Sequence, residues 1–279
     1  MKDENGKIET MVPTGFSYRE IEAGNVFSSG DKDYNHLLFL LEGDLNVNYN
    51  EFCGQMIHEG EFALFPMSAD VLCRALSDCR VLFFSFETLP EPFNVACRSY
   101  ALKHDLVART AFTTLPFISP LDDFFRLLLI FLRDGLDSPV MHQIKGEELF
   151  IFLRSFYDMN DLAPLFRPVV GVSSGFRVKV LRSYRHINNV GDFAKFLGME
   201  SKTFYRQFRA EFNESPYQWL LTQKARHIHF SLSENSLTLG EIRKKHGFKF
   251  SAHFTRFCKE QFHCTPLQLR KQLHKKQLI

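Results

Sequence analysis

The sequence of 279 residues has little of several features that mark particular protein classes. Its six cysteines form no Cys-x-x-Cys pair and have no histidine partner at zinc-finger spacing. The longest apolar run, Leu127–Leu132, is far too short to span a bilayer. The first ten residues are polar and contain no apolar signal core. We therefore expect a cytoplasmic protein with reduced thiols and no membrane contact.

Patterns typical of enzymes are equally scarce. Ser68, Ser77 and the cysteines lack the Gly-x-Ser-x-Gly context of an activated nucleophile. The adjacent carboxylates Asp122-Asp123 and Glu147-Glu148 would point apart on a helix, and we interpret them as negative charge near helix N-termini. No His-x-His pair occurs before residue 227, and we expect the isolated histidines to be structural. We therefore predict no enzyme activity, no cofactor and no metal site.

Positive charge is concentrated in one part of the chain. Residues 1–170 contain 14 Lys and Arg against 25 Asp and Glu, whereas residues 171–279 contain 20 against 7. A solvated surface does not explain clustering of this size in one part, whereas a polyanionic partner does. We therefore expect the C-terminal part to bind nucleic acid.

Residues 16–90 have the pattern of short strands. Apolar and polar residues alternate over 44–49, which is typical of a half-buried strand. Gly43 and Asp44 separate this strand from the apolar run 36–41, and the arrangement predicts a hairpin. Three more short apolar runs follow, separated by turn residues. This spacing predicts a small β-sandwich or barrel.

Two helical segments follow the strands. Residues 121–133 are nearly all apolar, and residues 146–158 carry an apolar stripe at i, i+3, i+4 and i+7. The stripe residues are Leu149, Phe152, Leu153 and Phe156. Such stripes usually belong to a core, and a subunit interface is the alternative. Prolines, glycines and serines from Pro164 to Gly175 indicate a linker, including Ser173-Ser174.

The basic part contains one short pattern twice, about fifty residues apart. The first copy has Phe193-Ala194, Gly198-Met199, Phe204-x-Arg206-x-Phe208 and Phe212-x-x-Ser215-Pro216. The second copy has Ile242, Gly247-Phe248, Phe254-x-Arg256 and Phe262-x-x-Thr265-Pro266. Each copy predicts a helix, a tight turn at the glycine and a second helix. A capping box at Thr238 and Glu241 indicates a helix start, and a long helix over 216–232 should connect the copies.

Two short helices of this kind form a helix-turn-helix unit, whose second helix enters the major groove of DNA. We expect apolar residues to lock the helices together: Phe193, Met199, Phe204 and Phe208 in one copy, and Ile242, Phe248, Phe254 and Cys258 in the other. The predicted DNA-contacting residues are Ser201, Lys202, Tyr205, Arg206 and Arg209 in the first copy, and Lys249, Ser251, His253, Thr255, Arg256 and Lys259 in the second. Arginine suits bidentate contact with guanine, Ser, Thr and His suit other base edges, and the outer cations suit phosphates.

Residues 176–275 resemble the DNA-binding domain of the AraC/XylS family of bacterial transcription regulators. The matching signature is Ile242-x-x-x-x-Gly247-Phe248-x-x-x-x-x-Phe254-x-Arg256-x-x-Lys259, followed by Thr265-Pro266 and Leu269-Arg270. The resemblance implies two helix-turn-helix units bridged by a long helix, with helices 201–212 and 251–262 in successive major grooves. Residues 60–66 resemble, more weakly, the cupin-like sensor domain common in this family.

Three residues of the second copy depart from the family pattern. Arg243 stands where alanine is usual, and we expect its guanidinium to extend outward or to tilt the helix. His263 stands where glycine is usual, as Asn213 does in the first copy, so both need a positive φ without being glycine. Cys258 stands where an aromatic residue is usual, which predicts a looser core.

The expected fold class is therefore α+β with several domains. The expectation comprises a cupin-like β-barrel at 1–95, a helical linker and dimerisation segment at 96–165, and an all-α double helix-turn-helix domain at 171–279.

The resemblance implies a sequence-specific transcription regulator, more often an activator in this family. It would bind promoter DNA as a homodimer, act on RNA polymerase and respond to a small effector. His36, Phe39 and Phe65 are candidates for lining an effector pocket, with core packing as the alternative. Two other functions remain open: a cupin-type enzyme with an accessory DNA-binding tail, and an architectural DNA binder without sequence preference.

Overall fold

The computed structural model of the protein describes residues 14–28, 32–104, 112–171, 175–187, 189–234 and 237–277. The polar first ten residues and Ser173-Ser174 of the expected linker lie outside these ranges. Within them, the strands are β1 (Gly15–Ile21), β2 (Val26–Phe27), β3 (Asn35–Glu42), β4 (Asp44–Tyr49), β5 (Phe52–His58), β6 (Glu61–Phe65), β7 (Val71–Ala75), β8 (Cys79–Phe86) and β9 (Thr114–Pro116). The helices are α1 (Glu91–Lys103), α2 (Ser119–Arg133), α3 (Pro139–Phe156), α4 (Met159–Phe166), α5 (Gly175–Ser183), α6 (Val190–Phe196), α7 (Ser201–Phe212), α8 (Pro216–Ser233), α9 (Leu239–Lys245), α10 (Ser251–Phe262) and α11 (Pro266–Gln277). A 3-10 turn, Tyr184–His186, follows α5.

The strands form two antiparallel sheets that face each other. Sheet one has the order β1-β8-β3-β6-β9, and sheet two has the order β2-β7-β4-β5. The predicted hairpin at Gly43 is therefore wrong, because β3 pairs with β6 and β8 while β4 pairs with β5 and β7. Gly43, at φ +93°, turns the chain from one sheet to the other, and a Cβ there would lie 2.5 Å from the carbonyl oxygen of Asp78. The expected sandwich of short strands is confirmed.

Strand alternation gives sheet one two apolar faces. Leu38 and Leu40 of β3 face sheet two and pack with residues such as Leu45 and Val47, all without solvent exposure. Leu37 and Phe39 face the other way and pack against the helices that follow the strands. A strand buried on both faces reads as a continuous apolar run, as residues 37–41 do.

The middle of the chain packs on the outer face of sheet one. β9 pairs with β6, and α1 to α4 contribute side chains to the same apolar cluster as Phe39. Of the predicted stripe on α3, Leu149 and Leu153 are fully buried, Phe152 is partly buried and Phe156 is 52% exposed. Core packing therefore accounts for most of the stripe. Pro164, expected in a linker, lies buried inside α4 instead.

The C-terminal region is all helical and has two apolar cores. The first gathers Phe193, Phe204, Phe208 and Trp219, and the second gathers residues from α8 to α11, among them Ile228. α8 connects them, since Trp219 near its start belongs to the first core and Ile228 near its end to the second. This organisation confirms the expected fold class, an α+β chain with an antiparallel two-sheet β domain before an all-helical double helix-turn-helix region.

Across the described ranges, no helix is long and apolar enough to cross a membrane.

Candidate nucleic-acid interface

Two helix-turn-helix units lie in the basic region: unit one is α6 with α7, and unit two is α9 with α10. α6 and α9 end in the same way, with Gly198 at φ +65° and Gly247 at φ +76°. The N–H of Met199 donates to the carbonyl of Ala194 at 2.9 Å, and the N–H of Phe248 donates to that of Arg243 at 3.0 Å. These bonds belong to the glycine-terminated Schellman motif, which reverses the chain abruptly after a helix. The local sequence therefore dictates both tight turns.

The first helix of each unit, α6 or α9, starts at a residue whose side chain caps it. The predicted capping box is present: the Thr238 hydroxyl accepts from the N–H of Glu241, whose carboxylate accepts from the N–H of Thr238. The side chain of Asn189 accepts from the N–H of Asp192 at 2.9 Å at the start of α6. Each cap satisfies an N–H group that the helix itself leaves without a partner.

The residues expected to lock each unit together do lie in its core. Phe193, Phe204 and Phe208 are fully buried in unit one, with Met199 packed against them. In unit two, Ile242, Phe254 and Cys258 are buried, and Phe248 packs against them. Burial raises the pKa of the Cys258 thiol to about 12, so the thiol stays protonated at neutral pH. Cys258 stands at the position where unit one has Phe208. Aromatic packing in unit two comes instead from Phe248, whose ring centre lies 5.3 Å from that of Phe254.

The opposite faces of α7 and α10 are open to solvent. All five residues predicted in unit one are exposed, including Tyr205 at 46%. In unit two Thr255 is partly buried, and the other five predicted residues are exposed. Those five are Lys249, Ser251, His253, Arg256 and Lys259. In each unit the predicted helix residues fall mainly at i, i+4, i+5 and i+8, so they share one face of a short helix.

Unit two differs from unit one in a carboxylate on this face. Arg256, 81% exposed, donates through its Nε to Glu260 Oε1 at 2.8 Å. The corresponding residue beyond Arg206 in unit one is Ala210. Glu260 was not among the predicted residues, although its spacing of four from Arg256 is the spacing of a helical ion pair. Phe250, the residue before α10, is also 63% exposed on this side of the turn.

Arg243 corrects one expectation from the sequence. Its partly exposed guanidinium is held at the turn, because Nη1 donates to the carbonyl of Phe248 at 2.9 Å and also to that of Lys249. The side chain therefore runs along the turn and braces the backbone between α9 and α10. Unit one has Ala194 at the matching place, where no such brace is available from a methyl group.

The two non-glycine residues expected at positive φ adopt it. Asn213, at φ +57°, follows α7, and His263, at φ +59°, follows α10. Each N–H donates at 3.0 Å to a carbonyl of the preceding turn, that of Arg209 and of Lys259 respectively. The left-handed residue ends the recognition helix and leads the chain into the next capped helix.

The sequence of this region matches a known family. Residues 193–272 match the family model described as a helix-turn-helix domain. This part of the chain is an AraC-type helix-turn-helix domain.

Solved structures give lower similarity over the whole chain. ToxT from Vibrio cholerae O395, bound to (E)-4-(8-methylnaphthalen-1-yl)but-3-enoic acid, is 11% identical, with 93% of this chain and 99% of that chain covered and a TM-score of 0.40. Unsaturated fatty acid-bound ToxT from Vibrio cholerae strain SCE256 is 11% identical over 92% and 95%, with a TM-score of 0.41. A cupin 2 conserved barrel domain protein from Leptotrichia buccalis is 12% identical over 26% and 35%, with a TM-score of 0.24. At TM-scores this low, the likeness supports no statement about this chain. No curated protein matches it significantly.

The three effector-pocket candidates do not face one cavity. His36 and Phe65 are paired across β3 and β6, so they lie on the side of sheet one that faces sheet two. Phe39 points to the opposite side, where it packs against Phe62 and Phe125. The alternation of side chains along β3 separates Phe39 from His36. His36 is 4% exposed, and its Nδ1 lies 2.9 Å from Ser85 Oγ, as expected for a structural histidine.

A polar cluster between the β domain and the AraC-type domain was missed from the sequence. Asp70, 6% exposed, follows β6 and lies within hydrogen-bond distance of Lys32, Arg185 and His227. Burial opposes ionisation of Asp70, but the hydrogen bond from His227 and the charges of Arg185 and Lys32 hold the pKa of Asp70 well below its usual range. Arg185 lies 115 positions from Asp70 in the sequence, and His227 lies 157 positions from it, so no local pattern relates them.

Proposed function

We propose that this protein is a bacterial transcription regulator that binds a specific promoter sequence through α7 and α10. The observation that carries the proposal is the repetition of one exposed polar face on two equivalent helices, each held by its own core. An architectural binder needs a basic surface but has no need for two such faces at matching positions. The excess of positive charge in residues 171–279 would supply the general attraction to the phosphate backbone.

Each exposed face offers both base-reading and phosphate-binding groups. Arg206 and Arg256 lie one residue after Tyr205 and Thr255, near the middle of the two helices, where a recognition helix comes closest to base edges. Arg209 and Lys259 lie one turn further along and suit phosphate contacts. Neither helix start has a side-chain cap, which leaves backbone N–H groups available to phosphate oxygens. We expect the two helices to read neighbouring segments about 10–10.5 base pairs apart.

We further propose that the protein acts as a homodimer. Five apolar side chains are exposed on the outer surfaces of α2 and α3: Leu127, Ile130, Val140, Ile144 and Ile151. Exposed apolar residues concentrated in one region are typical of association surfaces. A dimer would present four recognition helices and so lengthen the DNA sequence that is read. Ile144→Glu should shift the sedimentation coefficient of the protein from that of a dimer toward that of a monomer.

The remaining parts of the proposal concern regulation. The β domain would act as the sensor for a small effector, and the bound protein would activate transcription by contact with RNA polymerase. The site of action would be the bacterial cytoplasm, where promoter DNA lies. No reaction is part of this function, so the chain is proposed to be a regulator and not an enzyme.

Selection of bound duplexes from random DNA by the full chain tests the proposal. We expect a sharp consensus with two segments one helical turn apart. Arg206→Ala and Arg256→Ala should each relax base choice at one position in a different segment and cost about 1–3 kcal/mol in binding. Arg80→Ala, an exposed arginine of β8 that pairs with Glu42, is the control and should leave the consensus unchanged. A consensus that stays the same in both test variants would remove these arginines as reading residues, and no consensus at all would refute specific binding.

A further inference from the structure

The loop between β6 and β7 contacts the DNA-binding region through a set of directed polar groups. Met67 packs against Val178 of α5, and the Ser68 hydroxyl donates to the carbonyl of Leu181. Arg185, just after α5, donates through Nη2 to the carbonyl of Ser68 at 2.6 Å and to Asp70 Oδ1 at 3.1 Å. Residues 67–70 therefore form the docking loop of the β domain, and its partner surface is the end of α5 with the 3-10 turn.

The docking loop is held in one conformation before it meets its partner. Asn50 and Asp70 exchange two hydrogen bonds of 2.9 Å, N–H of Asn50 to the carbonyl of Asp70 and N–H of Asp70 to Asn50 Oδ1. Ser68 has φ +65°, a left-handed conformation that a serine adopts only at an energetic cost. This conformation directs its carbonyl at Arg185. A strained residue that presents a group to another domain indicates that the contact is selected and not incidental.

Asp70 joins this surface to the long helix α8. His227 of α8 donates through Nδ1 to Asp70 Oδ2, and its Nε2 lies 2.8 Å from the hydroxyl of Tyr184. Lys32 of the β domain completes the cluster, with Nζ 2.7 Å from Asp70 Oδ1. One buried carboxylate therefore binds α8, the 3-10 turn and the β domain at the same time. Its loss would leave Arg185, whose side chain is 23% exposed, without its anion, whereas the half-exposed Lys32 would be solvated.

The β domain also touches the core of unit two. β5 packs on α11, and Cys53 of β5 packs against the apolar cluster that contains Phe254 of α10 and Leu269 of α11. A weaker ion pair joins Glu51 to Arg226 of α8, with oxygen and nitrogen 3.9 Å apart. The docking loop therefore contacts α5 and the 3-10 turn, whose Val180 and Tyr184 belong to the core of unit one. β5 contacts α11, whose Leu269 belongs to the core of unit two.

These contacts leave the proposed DNA-reading faces uncovered. Tyr205, Arg206 and Arg256 are exposed while the β domain is docked. Because the two units have separate cores and share α8, their relative angle depends on what holds them on either side of that helix. The β domain holds α5 and α11, which pack into the two cores, and so restricts this angle before DNA arrives.

We propose that the Asp70 cluster is a latch through which the β domain braces the two helix-turn-helix units in the relative orientation that a two-segment DNA site requires. Bracing reduces the freedom lost on binding and so raises affinity for a site that engages both units. The expected effect on DNA affinity rests on the proposed function, whereas the expected effect on amide hydrogen exchange does not. It also gives an effector of the β domain a route to DNA, through any shift of the docking loop.

Asp70→Asn and Arg185→Met in the full chain test the latch from its two sides, so that a folding defect in one domain does not decide the result. The control is Glu42→Gln, which removes an exposed carboxylate whose partner, Arg80 at 3.1 Å, lies in the same β domain. Binding is measured to the duplex selected by the wild type and to versions with one segment scrambled. Amide hydrogen exchange in α5 and α11 is measured without DNA, and circular dichroism verifies folding.

We expect both variants to bind the two-segment duplex about tenfold more weakly, to bind the one-segment duplexes as the wild type does, and to exchange faster in α5. Glu42→Gln should match the wild type in each measurement. Unchanged affinity for the two-segment duplex would overturn the brace, and tighter binding would show that the contact inhibits instead. If the wild type selects no duplex, the proposed function fails, while unchanged exchange in α5 would still reject the latch by itself.

Discussion

Phe208→Ala should disable unit one and leave unit two able to bind DNA. The Phe208 ring is fully buried, and its centre lies 5.5 Å from Phe204, 4.3 Å from Phe212 and 5.6 Å from Trp219. It therefore joins α7 to the start of α8 as well as to α6, through Phe193 at 6.5 Å. Removing it opens a cavity at the point where α6, α7 and α8 meet.

The size of the effect follows from this packing. Truncating a buried phenylalanine to alanine costs about 3–5 kcal/mol, and several aromatic neighbours place Phe208 in the upper part of that range. A unit of about 50 residues has roughly 3–8 kcal/mol of stability in total. The change should therefore remove most of the stability of unit one. Unit two has no side chain in that core, so its stability should fall much less.

Trp219 is the one tryptophan of the chain, and it reports on unit one directly. In urea titrations its fluorescence should show unfolding of Phe208→Ala at much lower denaturant concentration than in the wild type. DNA protection should shrink from two segments to the one that α10 reads. Phe196→Ala is the control, because this phenylalanine of α6 is 64% exposed and its loss should change stability by less than about 0.5 kcal/mol. Loss of both DNA segments together would refute the independence of the two cores.

Three further changes test other parts of the interface. Arg243→Ala should lower the unfolding free energy of unit two by about 1–2 kcal/mol, because two backbone carbonyls lose a charged donor; urea unfolding measures this, with Lys245→Ala as the control. Burial and the nearby cations lower the pKa of His246 in the folded protein to about 4. In the unfolded protein the same ring takes up a proton near pH 6.5. Stability should therefore fall by about 2 kcal/mol between pH 7 and pH 5, and a fall of the same size in His246→Gln would contradict this origin. Glu260→Ala should tighten DNA binding about two- to fivefold, because it frees Arg256 and removes a negative charge from the reading face. A fluorescence anisotropy titration measures this affinity. Weaker binding would show that the carboxylate positions Arg256 instead.

Much of the DNA-binding region could be predicted because its determinants are local. The bounds predicted for the two recognition helices, 201–212 and 251–262, coincide with α7 and α10. Capping residues, turn glycines and apolar spacing act within a few residues, so the sequence displays them directly. The assignment of individual DNA contacts stays a prediction.

Errors arose where a local pattern has more than one tertiary outcome. Gly43 marks a sharp turn equally well whether the strands on either side pair or separate into two sheets. Arg243 was judged by its size and charge, whereas its position depends on carbonyls that the turn places within reach of its guanidinium. The three effector candidates were all expected to face the inside of one barrel. Strand alternation instead puts Phe39 on the opposite face of β3 from His36.

The sequence, with the family resemblance of its motifs, determined that there are two helix-turn-helix units, where the two recognition helices begin and end, and which part of the chain carries the positive charge. These properties come from contacts between residues a few positions apart and from composition. Only the tertiary structure decided that Asp70 meets Arg185 and His227, and that the β domain contacts α5, α8 and α11. Such contacts join residues more than a hundred positions apart, and they form only after separate elements have packed, so no periodicity along the chain announces them.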